Sequence, residues 1–107
     1  MTTFDKREEG FEKKYALDEE KKFKAEARRN RLLGLWVAEK LGMSGDAATA
    51  YAKEVVASDF EEAGDGDVVR KVMGDLKAKG VAVTEQQLRM TMDQLMAQAV
   101  AQLKAGT

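Results

Sequence analysis

The stretch Asp18 to Leu41, DEEKKFKAEARRNRLLGLWVAEKL, limits most strongly what this chain can become. Its first half is nearly all charge, whereas Leu32 to Ala38 is an unbroken run of apolar or glycine residues. Wound at 100° per residue, the stretch sets Phe23, Ala27, Asn30, Gly34, Val37, Ala38 and Leu41 on one side, which reads as a core-facing stripe. Leu32, Leu35 and Trp36 share a side with Lys21, Arg28 and Arg31. One half of this helix belongs inside a domain, and the other half points out of it.

The rest of the chain repeats the amphipathic pattern. Asp18 is placed to cap the first helix, with Glu19 and Glu20 in the first turn, where the helix dipole favours them. Gly42 stops it. Ser44 or Asp46 caps a second helix whose face is Ala48, Tyr51, Ala52 and Val55. A third shows Val69, Val72, Met73 and Leu76 and closes at Gly80 after Lys77 and Lys79. Thr84 to Gln87 reads as a capping box, with Val83 and Leu88 as its hydrophobic staple. The fourth helix then aligns Leu88, Met92, Leu95, Met96, Ala99 and Leu103.

No Pro interrupts these segments. Each stripe can be buried only against the others, so the expected fold class is all-α: a small four-helix bundle over residues 18–107, with helices at about 18–41, 45–60, 67–79 and 84–104. Methionines on these stripes read as core filler.

Residues 1–17 stand apart. Phe4, Phe11 and Tyr15, continued by Phe23, form one helical stripe in a dense field of charge. Gly10 and the short length leave this arm flexible and partly helical when free. A tail that merely aids solubility has no use for an aromatic stripe, so the arm reads as an interaction element.

Composition removes whole classes of chemistry. There is no Cys and no His, so disulfides, thiol nucleophiles, Cys/His zinc sites and imidazole bases are excluded. No phosphate-cradling Gly-x-x-x-x-Gly-Lys-[Ser/Thr] motif occurs, which leaves nucleotide binding without a motif. Asp59 to Asp67 holds five carboxylates in nine residues, but the spacing fails a calcium loop and fits a turn with Asp65 or Asp67 as the next cap. No cofactor, metal ligand or catalytic residue is assigned, and the expected protein is not an enzyme. The N-terminus lacks a signal-like apolar run, and no segment is long and apolar enough to insert in a membrane, so a cytoplasmic location is expected.

Lys21, Lys24, Arg28 and Arg31, with Arg29 beside them, suggest a helical domain associated with nucleic acid as an alternative. The 18 Lys and Arg are nevertheless balanced by 19 Asp and Glu, and Glu19, Glu20 and Glu26 share the region. An ion-paired solvated face accounts for it better.

Thr3-Phe4-Asp5-Lys6-Arg7, the string Phe23 to Gly34 (FKAEARRNRLLG) with Trp36, and Ala50-Tyr51-Ala52 followed by Val55-Val56 and Asp59-Phe60-Glu61 closely resemble the ζ subunit family, the ATPase inhibitors of alphaproteobacterial F-type ATP synthases. The likeness spans nearly the whole chain. It implies a non-catalytic regulator whose arm inserts as a helix into a catalytic α/β interface of the synthase head and blocks rotation of γ in the hydrolytic direction. The implied partners are the α, β and γ subunits, and the implied location is peripheral to the inner membrane through the synthase.

Carried over by position, Phe4, Phe11 and Tyr15 are the anchors, and Asp5, Lys6, Arg7, Glu8 and Lys14 make polar contacts. Asp18, Lys22 and Phe23 form the hinge and start of the first helix, while Arg28, Arg29, Arg31 and Trp36 are candidate docking positions. A histidine-controlled pH switch, as described for the analogous mitochondrial inhibitor, has no titrating group here.

Overall fold

The computed structural model describes residues 17–60 and 65–106. Among these, four helices follow one another: α1 (Glu19–Lys40), α2 (Gly45–Ala57), α3 (Gly66–Ala78) and α4 (Glu85–Lys104), with a short 3₁₀ turn, Ser58–Phe60, after α2. No strand occurs among the described residues, and the all-α bundle expected from the periodicity is the fold.

The helix ends follow local chemistry. The Asp18 carboxylate accepts from the Lys21 amide at 2.8 Å and starts α1. Thr84 and Gln87 close the capping box of α4 in both directions, at 3.1 and 3.0 Å. Gly42 (φ +81°) and Gly80 (φ +70°) end α1 and α3 in the left-handed conformation. The amides of Met43 and Val81 then reach back to the carbonyls of Ala38 and Leu76, at 2.8 and 2.9 Å. Both are Schellman endings, which a side chain with a Cβ would strain.

Ser44 and Asp65 stand at the N-caps of α2 and α3, but neither side chain bonds to its helix. Asp65 instead accepts from Arg89 of α4 at 3.3 Å.

Two apolar clusters hold the helices together. The larger joins Leu33, Val37 and Ala38 of α1 to Tyr51 and Val55 of α2, Val68, Val72 and Leu76 of α3, and Leu88 and Met92 of α4. The smaller joins Leu17 and Ala25 to Met96 and Val100 near the C-terminal end of α4. Each fully buried Leu or Val contributes on the order of 1.5–3 kcal/mol, against about 1 kcal/mol for a cap, so packing outweighs capping. Leu17, assigned to the arm by sequence pattern, is buried in the smaller cluster.

Two clusters on one helix alter its expected stripe. Toward its start α1 turns Lys22, Ala25 and Arg29 inward, and further on Asn30, Leu33, Gly34, Val37 and Ala38. Phe23 is 66% exposed, against the expectation that it faces the core. The cause is length. The 13 residues of α2 span about 20 Å and run back along α1 to the level of Asn30, where Asp59 meets it. Phe23 lies about 10 Å further along the helix axis, beyond what α2 covers.

α1 and α2 cross at a point where no side chain fits. A Cβ on Gly34 would stand 2.5 Å from the Ala52 Cα and 3.1 Å from its Cβ. Gly34→Ala is expected to lower stability by about 1–3 kcal/mol, because the clash outweighs the roughly 1 kcal/mol by which Ala favours a helix. At Gly74 of α3, by contrast, a Cβ would meet nothing within 4 Å, so Gly74→Ala should raise stability by about 0.5–1 kcal/mol. Urea unfolding of the two variants reads both signs.

Candidate functional site

Leu17, packed in the smaller cluster, and Asp18, the cap of α1, open the described part of the chain, and the residues around this junction divide into an inner and an outer set. Lys22 and Arg29 belong to the inner set, at 9% and 7% exposure. Phe23 and Arg31 belong to the outer one. Arg28 is half-buried, its guanidinium 3.4 Å from the Gln102 side-chain oxygen of α4. Trp36 is half-buried against the larger cluster, with the Lys40 ammonium 4.7 Å from its ring centroid.

Arg29 is therefore an internal residue and not part of an exposed docking face. Its Nε donates to Asn30 Oδ1 at 2.8 Å, and Asn30 Nδ2 donates to Asp59 Oδ2 at 2.9 Å. Burial lowers the Arg29 pKa, while Asp65, Asp59, Glu26 and Asp93 oppose that fall. Asn30 is fully buried and satisfies a cation on one side and a carboxylate on the other. The relay Arg29–Asn30–Asp59 ties α1 to the turn after α2.

This arrangement gives partners to three of the five carboxylates in the acidic stretch. Asp59 pairs with Asn30, Asp65 with Arg89, and Asp67 with Arg70. Glu61 and Glu62 lie outside the described residues. Among the described residues no cluster of three or more His, Cys, Asp or Glu could hold a metal ion.

A second polar latch joins α2 to α3. The Tyr51 hydroxyl donates to Asp75 Oδ2 at 2.7 Å, and the Lys71 ammonium lies 3.1 Å from the same oxygen and 3.2 Å from Glu54. Burial, followed by the Asp75 hydrogen bond, pushes the Tyr51 pKa up, so the phenol stays protonated. Sequence pattern places Tyr51 on the buried face, but the Asp75 partner carries no signal of its own.

The basic face of α1 is partly engaged in the same way, since Lys24 pairs with Glu20 at 3.2 Å and Arg28 meets Gln102. No described helix is long and apolar enough to cross a membrane. Phe4, Asp5, Lys6, Arg7, Glu8, Phe11, Lys14 and Tyr15 all lie outside the described residues.

A family model described as ATPase inhibitor subunit zeta matches residues 1–102. The chain belongs to this family. The match takes in the arm and the bundle together, as the zeta resemblance of the sequence implied. A solved structure, a solution NMR structure of a protein 60% identical in sequence, superposes with a TM-score of 0.71 over 79% of the zeta chain and 96% of its own. No curated protein matches.

Two measurements on the zeta chain test the relay. Asn30→Leu keeps the volume but strands the Arg29 and Asp59 groups, so a loss of about 2–4 kcal/mol is expected in urea unfolding. Burial also raises the Asp59 pKa, although Asn30 and Arg29 pull it down. A carboxyl raised on folding costs stability when ionised, and that cost fades as pH falls through its folded value toward about 3.9. Asp59→Asn, which cannot ionise, should therefore gain most on the parent at neutral pH. Its advantage should shrink as pH falls through that window, read from unfolding midpoints at several pH values.

Proposed function

We propose that this chain is a non-catalytic regulator that inhibits ATP hydrolysis by the F-type ATP synthase head. Residues 1–16 enter a catalytic α/β interface as a helix and block rotation of γ, while the bundle, with Leu17 packed in it, remains outside as the body that presents the arm. The protein then sits at the inner membrane through its hold on the synthase. The observation that carries this reading is the family match, which begins at residue 1 and so includes the arm in the pattern of an ATPase inhibitor.

Physical chemistry supports the division of labour. Ordering an arm of this length costs more backbone entropy than three aromatic anchors on an open surface return. The partner must therefore enclose the arm on several sides, as a deep interface between subunits does. As a helix, 16 residues reach about 24 Å. The capped start of α1 at Asp18 would direct the arm away from a rigid support.

The test is ATP hydrolysis by the purified synthase head, titrated with the full chain and with a chain lacking residues 1–16. Leu17 is kept because it packs in the smaller cluster. The expected outcome is inhibition by the full chain alone, with the shortened chain still helical and cooperative in unfolding. An equally potent shortened chain would overturn the reading.

A further inference from the structure

On the outer side of the α1–α2 pair lies a groove of about 360 Å³ with an apolar floor of Leu35, Ala52, Val56 and Ala57. Arg31 stands on its α1 rim and Lys53 on its α2 rim. Both cations are exposed, and neither makes an ion pair among the described residues, unlike Lys24, Arg70, Lys71 and Arg89. At steps of four residues, Phe23, Ala27, Arg31 and Leu35 climb α1 from the arm junction to this groove. Phe23 is largely exposed and Leu35 stands at 36% exposure.

We propose that this groove is the surface through which the bundle docks on the ATPase head, and that its occupant is an acidic amphipathic helix of the head. Apolar side chains of that helix fill the floor and its carboxylates meet Arg31 and Lys53, the helix-in-groove mode with a charged rim. The proposal rests on the inhibitory reading above and adds the face that binds.

Charge selects this occupant over the others. Residues 1–16 carry four acidic side chains (Asp5, Glu8, Glu9, Glu12) and four basic ones (Lys6, Arg7, Lys13, Lys14), so the arm offers the groove no net complement. A second copy paired about a two-fold axis would set Arg31 and Lys53 against the same cations. An acidic helix from a different protein has neither defect. Arg31 and Leu35 lie on the same helix that the arm leads into, so an arm buried in the head and a bundle held by this face can engage one partner at once. Such linkage raises the effective concentration of the arm at its site.

The double variant Arg31→Glu/Lys53→Glu and the single variant Leu35→Gln, all at exposed positions, are tested as full chains on the purified head. Two readouts are taken: direct binding by calorimetry, and residual hydrolysis across a titration. Expected are a rise of about tenfold or more in both the dissociation constant and the half-inhibiting concentration for the double variant, smaller at high salt. Hydrolysis at saturation should stay unchanged, because the arm is intact. Lys79→Glu/Lys104→Glu, the same charge change at exposed positions away from the groove, should shift neither.

Unaltered binding by the groove variants would overturn the proposal. So would nuclear Overhauser contacts from the Phe4, Phe11 or Tyr15 rings to Leu35 or Val56 in the free chain, or a dimer in sedimentation that the groove variants abolish. Binding that depends on the groove without inhibition would uphold the docking face and sink the inhibitory reading instead, so the two failures are distinguishable.

Discussion

Everything in this bundle depends on how closely α1 and α2 approach, and that approach is set by the absence of a side chain at Gly34. With Ala52 opposite, two backbones meet at a separation that Leu or Val would prohibit. The close crossing lets Leu33 and Val37 reach α3 and α4 from one side of α1 while Ala38 is buried as well. It also brings the end of α2 beside Asn30, where the polar relay forms. A wider spacing would leave the core underfilled and separate the relay from its acceptor.

Buried polarity then settles details that apolar packing leaves free. A stripe of Leu, Val and Ala tolerates small rotations and shifts of one helix on another. The Arg29–Asn30–Asp59 chain and the Tyr51–Asp75–Lys71 latch do not, because a buried donor or acceptor left without its partner is costly. One joins α1 to the turn after α2, and the other joins α2 to α3. A domain of this size has a modest core, so such contacts weigh heavily in its single arrangement.

The proposed division between bundle and arm is in keeping with the same limits. The bundle largely satisfies itself: most residues of its apolar stripes are buried, α1 and α4 are capped by side chains, and many of its charges have partners. The aromatic stripe of residues 4–15 continues into Phe23, which the bundle leaves exposed, as the proposed interaction role of the arm requires. The outward groove between α1 and α2, with a cation on each rim, is likewise an unanswered surface.

Local chemistry was legible in the sequence because its causes lie within a few residues. Asp18 as a cap, Thr84 to Gln87 as a capping box, Gly42 and Gly80 as endings, and most of the inward faces of α2, α3 and α4 follow from spacing and residue type, although Val68 and Val100 are buried beside the expected stripes. The family was legible too, from FKAEARRNRLLG and its flanks. Tertiary structure decided the rest. Phe23 turned outward because α2 stops short of it, and Arg29 turned inward because Asp59 and Asp65 arrive from distant parts of the chain. Tyr51 found Asp75 by the packing of two helices, and Gly34 mattered through Ala52. Periodicity assigns a residue to a side of its own helix, but what covers that side depends on the lengths and approach of other helices, a long-range property that no local pattern carries.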